Sequence, residues 1–186
     1  MLAVEELTSL ITTGFNRRVF RLELLDSYEV GTDGGDVARY LAGERFPDPG
    51  RKGPWLAHLR AERADGRLRQ RVHVLRTPLS GYLRYECEWG YEPNSDAGED
   101  IGILDLAERP LPSALSSIDC DFWLLDDEQA IKMHYDQGGR FTGAELLAPA
   151  ALPRYRAARD AAIATAEPFT RFWARHPEYH QVNQAA

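Results

Sequence analysis

Hydrophobic and polar positions alternate most clearly between Asp121 and Leu147. Phe122-Trp123-Leu124-Leu125 is apolar on both alternating faces, the pattern of a central strand covered on both sides. Asp126-Asp127-Glu128 turns the chain, and Ile131, Met133 and Tyr135 then alternate with Lys132, His134 and Asp136. Gln137-Gly138-Gly139 supplies a tight turn, because glycine accepts the positive φ that hairpins demand. The chain returns through Phe141 to Leu147. Parity sets the register. A two-residue Gly138-Gly139 loop pairs Ile131 with Leu146, Lys132 with Glu145 and Met133 with Ala144, whereas a three-residue loop sets Ile131 against Glu145. An even loop therefore gives one apolar face, Ile131, Met133 and Leu146, and one polar face, Lys132, His134 and Glu145.

The same reading predicts a helix from Val4 to Ile11 ending near Gly14, and a segment Val19–Leu25 that reads as a strand or as a continuing helix. A breaker at Asp33–Gly35 precedes a short helix, Asp36–Gly43. The Pro- and Gly-dense run from Phe46 to Pro54 reads as a linker between an N-terminal helical part (1–50) and the main body (55–175) of a single 1–186 domain. A helix is predicted over Trp55–Ala64, a strand over Arg71–Arg76, and a helix over Leu79–Trp89 opened by Pro78. Glu92–Asp100 reads as a polar loop, Ile101–Leu104 as a strand and Ala107–Ser117 as a loop. A long helix from Ala150 to Arg175, kinked or broken at Pro168, closes the chain. The class is α+β, with a mainly antiparallel sheet flanked by helices.

Composition narrows the setting. The 186 residues suit one domain, and a 44% apolar fraction is that of a globular chain. A net charge of −7 repels phosphate backbones and argues against direct nucleic-acid binding. Cys87 and Cys120 form neither a CxxC pair nor a metal-ligand spacing, so the expected setting is a reducing cytoplasm. Met1–Leu10 lacks a basic region followed by an apolar core, and no apolar run approaches the ~20 residues of a membrane span.

Candidate chemistry is sparse. Arg84 and Glu88 stand four apart on one helix with Tyr91 following, a spacing that suits a polar binding face as well as an exposed ion pair worth ~0.3–0.5 kcal/mol. Glu86 shares a helix face with Leu79, Tyr82 and Leu83, and a carboxylate on an apolar stripe needs a partner or a raised pKa. His134 sits opposite Gly143, which leaves room above its ring for a pocket histidine, although the pattern suits a half-exposed sheet histidine better. The loop Asn94–Asp100, with Glu99, suits an anion or simply bonds to itself. The five histidines form no HxH or HExxH, so no metal site and no cofactor is expected. GxSxG, GxGxxG and Walker patterns are absent. Cys87, inside a helix, reads as a core residue.

Seven segments stand in order: Phe20–Glu23, Tyr40–Glu44, Pro78–Tyr82, Ala97–Ile101, Asp121–Asp127, Met133–Asp136 and Gly143–Leu146. Together they resemble an uncharacterised domain family of streptomycete-type actinobacteria, over about Phe15 to Phe169. The sequence departs from that pattern at Gly102, where an arginine is expected. The resemblance implies no reaction. It implies a partner, since such genes often sit beside helix-turn-helix regulators of the XRE type. The order of strands and helix from 71 to 135 also resembles half of a phospholipase-D-like domain without its HxKxxxxD signature. The leading expectation is a non-enzymatic regulatory or ligand-sensing domain that works with such a regulator or a small metabolite. The alternatives are an enzyme of specialised metabolism, with a pocket formed by Arg84, Glu88, Tyr91, Glu99 and His134, and a purely structural interaction module.

Overall fold

The computed structural model describes residues 1–29 and 35–184. Its elements are α1 (Val4–Thr13), β1 (Arg18–Glu23), α2 (Asp36–Leu41), α3 (Pro49–Ala64), β2 (Leu68–Leu75), α4 (Gly81–Tyr85), a π-helical turn (Glu86–Tyr91) and α5 (Glu92–Asp96). There follow β3 (Asp100–Asp105), β4 (Phe122–Leu125), β5 (Gln129–Tyr135), β6 (Phe141–Leu146), α6 (Leu152–Thr165), β7 (Glu167–Pro168), α7 (Phe169–Arg175) and α8 (Gln181–Gln184). The strands form one mixed sheet of order β6-β5-β4-β1-β2-β3-β7, in which β1-β2 and β2-β3 are parallel and the other neighbours antiparallel. The fold is α+β and a single domain. None of its described helices is long and apolar enough to cross a membrane.

The two faces of the sheet differ. On one, Phe20 and Leu22, Val72 and Val74, Leu104, Phe122 and Leu124 pack under α6 through Tyr155, Ala158 and Ala162. The other face carries two separate apolar clusters. Val19, Trp123, Leu125, Ile131 and Met133 pack with Leu7 of α1. Leu75, Ile101 and Ile103 pack with Leu83, Phe169 and Phe172. Between them the same face shows Arg21 and Glu23 of β1 and Arg71 and His73 of β2, because residues two apart on a strand point the same way. The parallel register sets Arg21 beside Arg71 and Glu23 beside His73. A polar strip thus divides two hydrophobic cores, and the site lies there.

The hairpin register agrees with parity in the strand bodies: Ile131 pairs Leu146, Lys132 pairs Glu145 and Met133 pairs Ala144. The turn differs. A bulge between His134 and Tyr135 brings Tyr135 opposite Phe141, and Asp136 accepts from the N–H groups of Gly138 and Arg140 through its side chain. Side-chain hydrogen bonding by Asp136 thus shapes a longer turn than two glycines would. The apolar face is Ile131, Met133 and Ala144. Leu146, on the edge strand β6, is 50% exposed. All four residues of β4 are buried, as a doubly covered strand requires. Asp126 and Asp127 take positive φ in the turn, and Asp126 repays its strain by accepting from the backbone N–H groups of Asn16, Arg17 and Arg18.

Several expectations are corrected. Val19–Leu25 resolves to a strand, placed at the centre of the sheet, so residues 1–50 are not a separate helical part. The run from Phe46 to Pro54 is no linker from Pro49 onward. Asp48 caps the Gly50 N–H, Pro49 opens α3, and Pro54 lies within the helix. Ser80, not Pro78, starts the next helix by accepting from the Leu83 N–H. Glu92–Asp96 is helical rather than loop. The C-terminal helix is broken at Pro168, as expected, and the two residues of the break pair with β3 as an edge strand. The breaker at residues 33–34 lies outside the described residues.

Candidate functional site

The polar strip is built by hydrogen bonds that saturate all but one of its carboxylates. Glu23 receives Arg21 Nη2 at 2.9 Å on Oε1, and Arg71 Nη1 at 2.7 Å with the Tyr91 hydroxyl at 2.8 Å on Oε2. Glu99 receives Arg71 Nε at 3.1 Å and Asn94 Nδ2 at 2.8 Å. Asp121 receives the Leu24 N–H at 2.9 Å and the Tyr28 hydroxyl at 2.6 Å. Glu86 differs. His73 Nδ1 stands 3.7 Å from its Oε2, and Oε2 is buried without a hydrogen-bond partner among the described residues. Arg21 Nε is likewise buried and unpartnered. Buried polar atoms are normally paired, so two open ones on a single strip are unusual.

Glu86 follows directly on α4. It opens the π-helical turn, on the same helix face as Leu83, and such turns recur at functional sites. Lys52 of α3 reaches the Gly90 carbonyl of the same turn at 3.4 Å, and burial pushes its ammonium down to about 8. His73 is fully buried. Its Nε2 faces the Leu25 carbonyl at 2.9 Å and therefore carries a proton, while Nδ1 meets the Tyr91 hydroxyl at 2.7 Å. Tyr91 has one proton for two acceptors, Nδ1 of His73 and Oε2 of Glu23, so the two arrangements differ in the proton on Nδ1.

Electrostatics separate the two central carboxylates. Burial raises Glu23, but the guanidinium groups of Arg21 and Arg71 more than offset that and hold it at about 2. Burial pushes Glu86 up to about 7, and the negative charge of Glu23 adds to the rise. Asp121 is raised, chiefly by burial. Burial also raises Tyr28 and Tyr82.

A cavity of about 380 Å³ opens over this strip. Leu7, Tyr28, Tyr82, Met133, Tyr135 and Phe141 form its mostly apolar walls. Arg21, Glu23 and Glu86 line it as charged residues, and the Glu29–Arg140 ion pair, 2.8 Å, stands at its rim. The Arg21 guanidinium lies 5.6 Å from the Tyr28 ring centre and 5.1 Å from that of Trp123. A second cavity, about 340 Å³, lies between β3, α6 and α7 near Gly102. The charged side chains on its wall are already matched, Arg71 with Glu99 and Asp100 with Arg63.

The sequence-predicted site residues are dispersed. Tyr91 and Glu99 belong to the buried strip. Glu88 accepts from the Tyr40 hydroxyl and the Gln181 N–H, tying α8 to α2. Arg84 is half-buried on α4 and lines neither cavity. Lys132 reaches Asp119 at 3.5 Å, and His134 reaches Glu145 at 3.5 Å, on the partly exposed face of the hairpin. The room above His134, opposite Gly143, is occupied by the Met1 side chain. Arg21, Glu23, Tyr28, Arg71 and His73 escaped the sequence reading. Their signal was charge inside alternating strands, Arg21 and Glu23 in β1 and Arg71 and His73 in β2. Glu86 was legible, as a carboxylate on an apolar stripe whose pKa is raised.

Glu23, His73 and Glu86 offer three ligand-type atoms within 4.8 Å of one another. They do not suit a metal ion, because both Glu23 oxygens hold guanidinium protons and both His73 nitrogens are hydrogen-bonded. What the arrangement offers is a hydrogen-bond donor from Arg21, and an acceptor or acid from Glu86, at the side of an aromatic chamber. No curated protein and no solved structure matches the chain. Residues 5–174 match the profile of a domain of unknown function, DUF6879, and the chain belongs to that family.

Proposed function

We propose that this chain is a non-enzymatic ligand-sensing domain that holds a small molecule in the cavity over Arg21, Glu23 and Glu86. One observation carries the reading: Arg21 Nε and Glu86 Oε2 are buried without partners, and both residues line the same apolar-walled cavity. A ligand that drew these side chains toward the cavity, supplying an acceptor to one and a donor to the other, would offset a desolvation penalty of about 1–3 kcal/mol for each group. A few placed polar groups in an apolar chamber of a few hundred Å³ are the usual anatomy of a small-molecule site. The finer expectation, a helix-turn-helix regulator as partner in the cytoplasm, draws support from the chain's net charge of −7, which suits docking on a basic protein.

A second reading, enzyme, draws on Glu86. A carboxyl at about 7 is poised for general acid–base work. The cavity weighs against a purely structural module. A thermal-shift screen of a metabolite library separates these readings, since a ligand bound at a hundred times its Kd adds about 2.7 kcal/mol of stability. The proposal expects hits that Glu86→Gln and Arg21→Lys abolish, with the hit recovered chemically unchanged. A recovered product supports the enzyme, and hits insensitive to both substitutions refute the site.

A further inference from the structure

We infer that the cavity selects an organic cation: a molecule with an apolar or aromatic body and an ammonium group seated against the Glu86 carboxylate. The inference rests on the reading of the cavity as a ligand site and adds the class of ligand. Donor accounting comes first. Glu23, Glu99 and Asp121 each accept at least two hydrogen bonds from the protein, and Glu86 Oε2 accepts none, its approach to His73 Nδ1 stopping at 3.7 Å. Charge comes second. Four carboxyl groups, Glu23, Glu99, Asp121 and Glu86, share the strip with two guanidinium groups, Arg21 and Arg71, and both of those are committed to the first three acids. An ammonium supplies the missing donors and the missing positive charge together.

The walls agree. Tyr28, Tyr82, Tyr135 and Phe141 line the cavity, and aromatic rings attract cations at their faces, most strongly where water is excluded. Arg21 already uses this attraction, standing over Tyr28 and Trp123. Its open Nε–H asks for an acceptor, so a hydroxyl, ether or carbonyl near the ammonium completes the match. A carboxylate ligand would meet Glu23 and Glu86 on the same floor and would require Glu86 to stay protonated.

The charged and titratable groups around Glu86 come from four elements and the turn itself: Glu23 and Arg21 from β1, Arg71 and His73 from β2, Tyr82 from α4, Lys52 from α3 and Tyr91 from the π-helical turn. Of these, His73 is hydrogen-bonded through both nitrogens and Lys52 through the Gly90 carbonyl. A cation binds best when Glu86 is ionised, so affinity rises with pH across neutrality.

Calorimetric titration of the full chain with tryptamine, tryptophol and indole-3-propionate tests this, because the three share an indole and differ in charge. At pH 8 tryptamine is expected to bind about tenfold or more tighter than tryptophol, with the propionate weakest. In Glu86→Gln that preference collapses. Benzyltrimethylammonium, whose charge does not titrate, is expected to bind more tightly to the unaltered protein at pH 8 than at pH 6, which needs no variant. Tryptophol or the propionate binding as well as tryptamine, or a flat or inverted pH response, overturns the cation assignment while leaving the cavity a ligand site. Failure of all the probes to bind overturns both.

Discussion

Glu23 and Glu86 bring ligand-type oxygens within 4.8 Å of each other on one polar strip, and their surroundings drive their proton affinities apart. Two guanidinium groups hold Glu23 at about 2, whereas burial and the charge of Glu23 push Glu86 up to about 7. Adjacent carboxylates so divided take different roles: one is a fixed charge that organises the arginines, the other a group that changes state near neutrality.

The first expected outcome concerns Glu86 and pH. Its folded-state pKa lies above the usual 4.5, so the native protein holds a proton that the unfolded chain releases. Its contribution to stability is full below about 4.5 and is lost as pH rises through about 7, on the order of 3 kcal/mol in all. Glu86→Gln stays neutral and escapes that loss. Urea denaturation should show the variant gaining on the unaltered protein between pH 5 and pH 8. Parallel curves at the two pH values would refute the raised affinity.

Glu23 predicts the opposite behaviour. Removing its charge in Glu23→Gln leaves Arg21 and Arg71 facing each other in adjacent register without their shared partner. Breaking a buried ion pair from one side costs about 3–5 kcal/mol. Chemical denaturation at pH 7 reads this directly, and a loss below 1 kcal/mol would place the pair in the class of solvated surface bridges.

Asp126 is a structural test far from the cavity. Its carboxylate accepts three backbone N–H groups, at 2.7, 2.7 and 2.9 Å, at the entry to β1. Asp126→Ala is expected to cost about 2 kcal/mol. Although burial raises its pKa, hydrogen bonds from Arg18, Asn16 and Arg17 bring it below the usual 3.8. The contribution is therefore present above about 3.8 and lost as pH falls below it. The stability gap between variant and parent should accordingly narrow in acid.

The polar face of the hairpin should be silent. His134 and Glu145 meet at 3.5 Å with 33% and 52% of their side chains exposed. Replacing either by alanine should change stability by less than about 0.5 kcal/mol and leave tryptamine affinity unchanged. A large effect on binding would return the site to the hairpin.

The sequence made local patterns legible and long-range convergence opaque. Period-two alternation placed β4 and β5, and parity placed Ile131 opposite Leu146, because a one-residue slip would bury Glu145. The stripe through Leu79, Leu83 and Glu86 announced a carboxylate out of place. What could not be read was which strands become neighbours. Arg21 and Arg71 are fifty residues apart, and only the parallel pairing of β1 with β2 joins them. Charges inside those strands look like ordinary polar faces until helices pack over the sheet on that side. The π-helical turn was equally hidden, since one inserted residue leaves the hydrophobic pattern nearly intact.

Carbon-detected NMR titration of the glutamate side-chain carboxyls, with and without tryptamine, tests the central claim most directly. The Glu86 carboxyl is predicted to titrate at about 7 in the free protein and at a lower pH once the amine is bound. A Glu86 titration near 4.5 that tryptamine does not move would contradict the account.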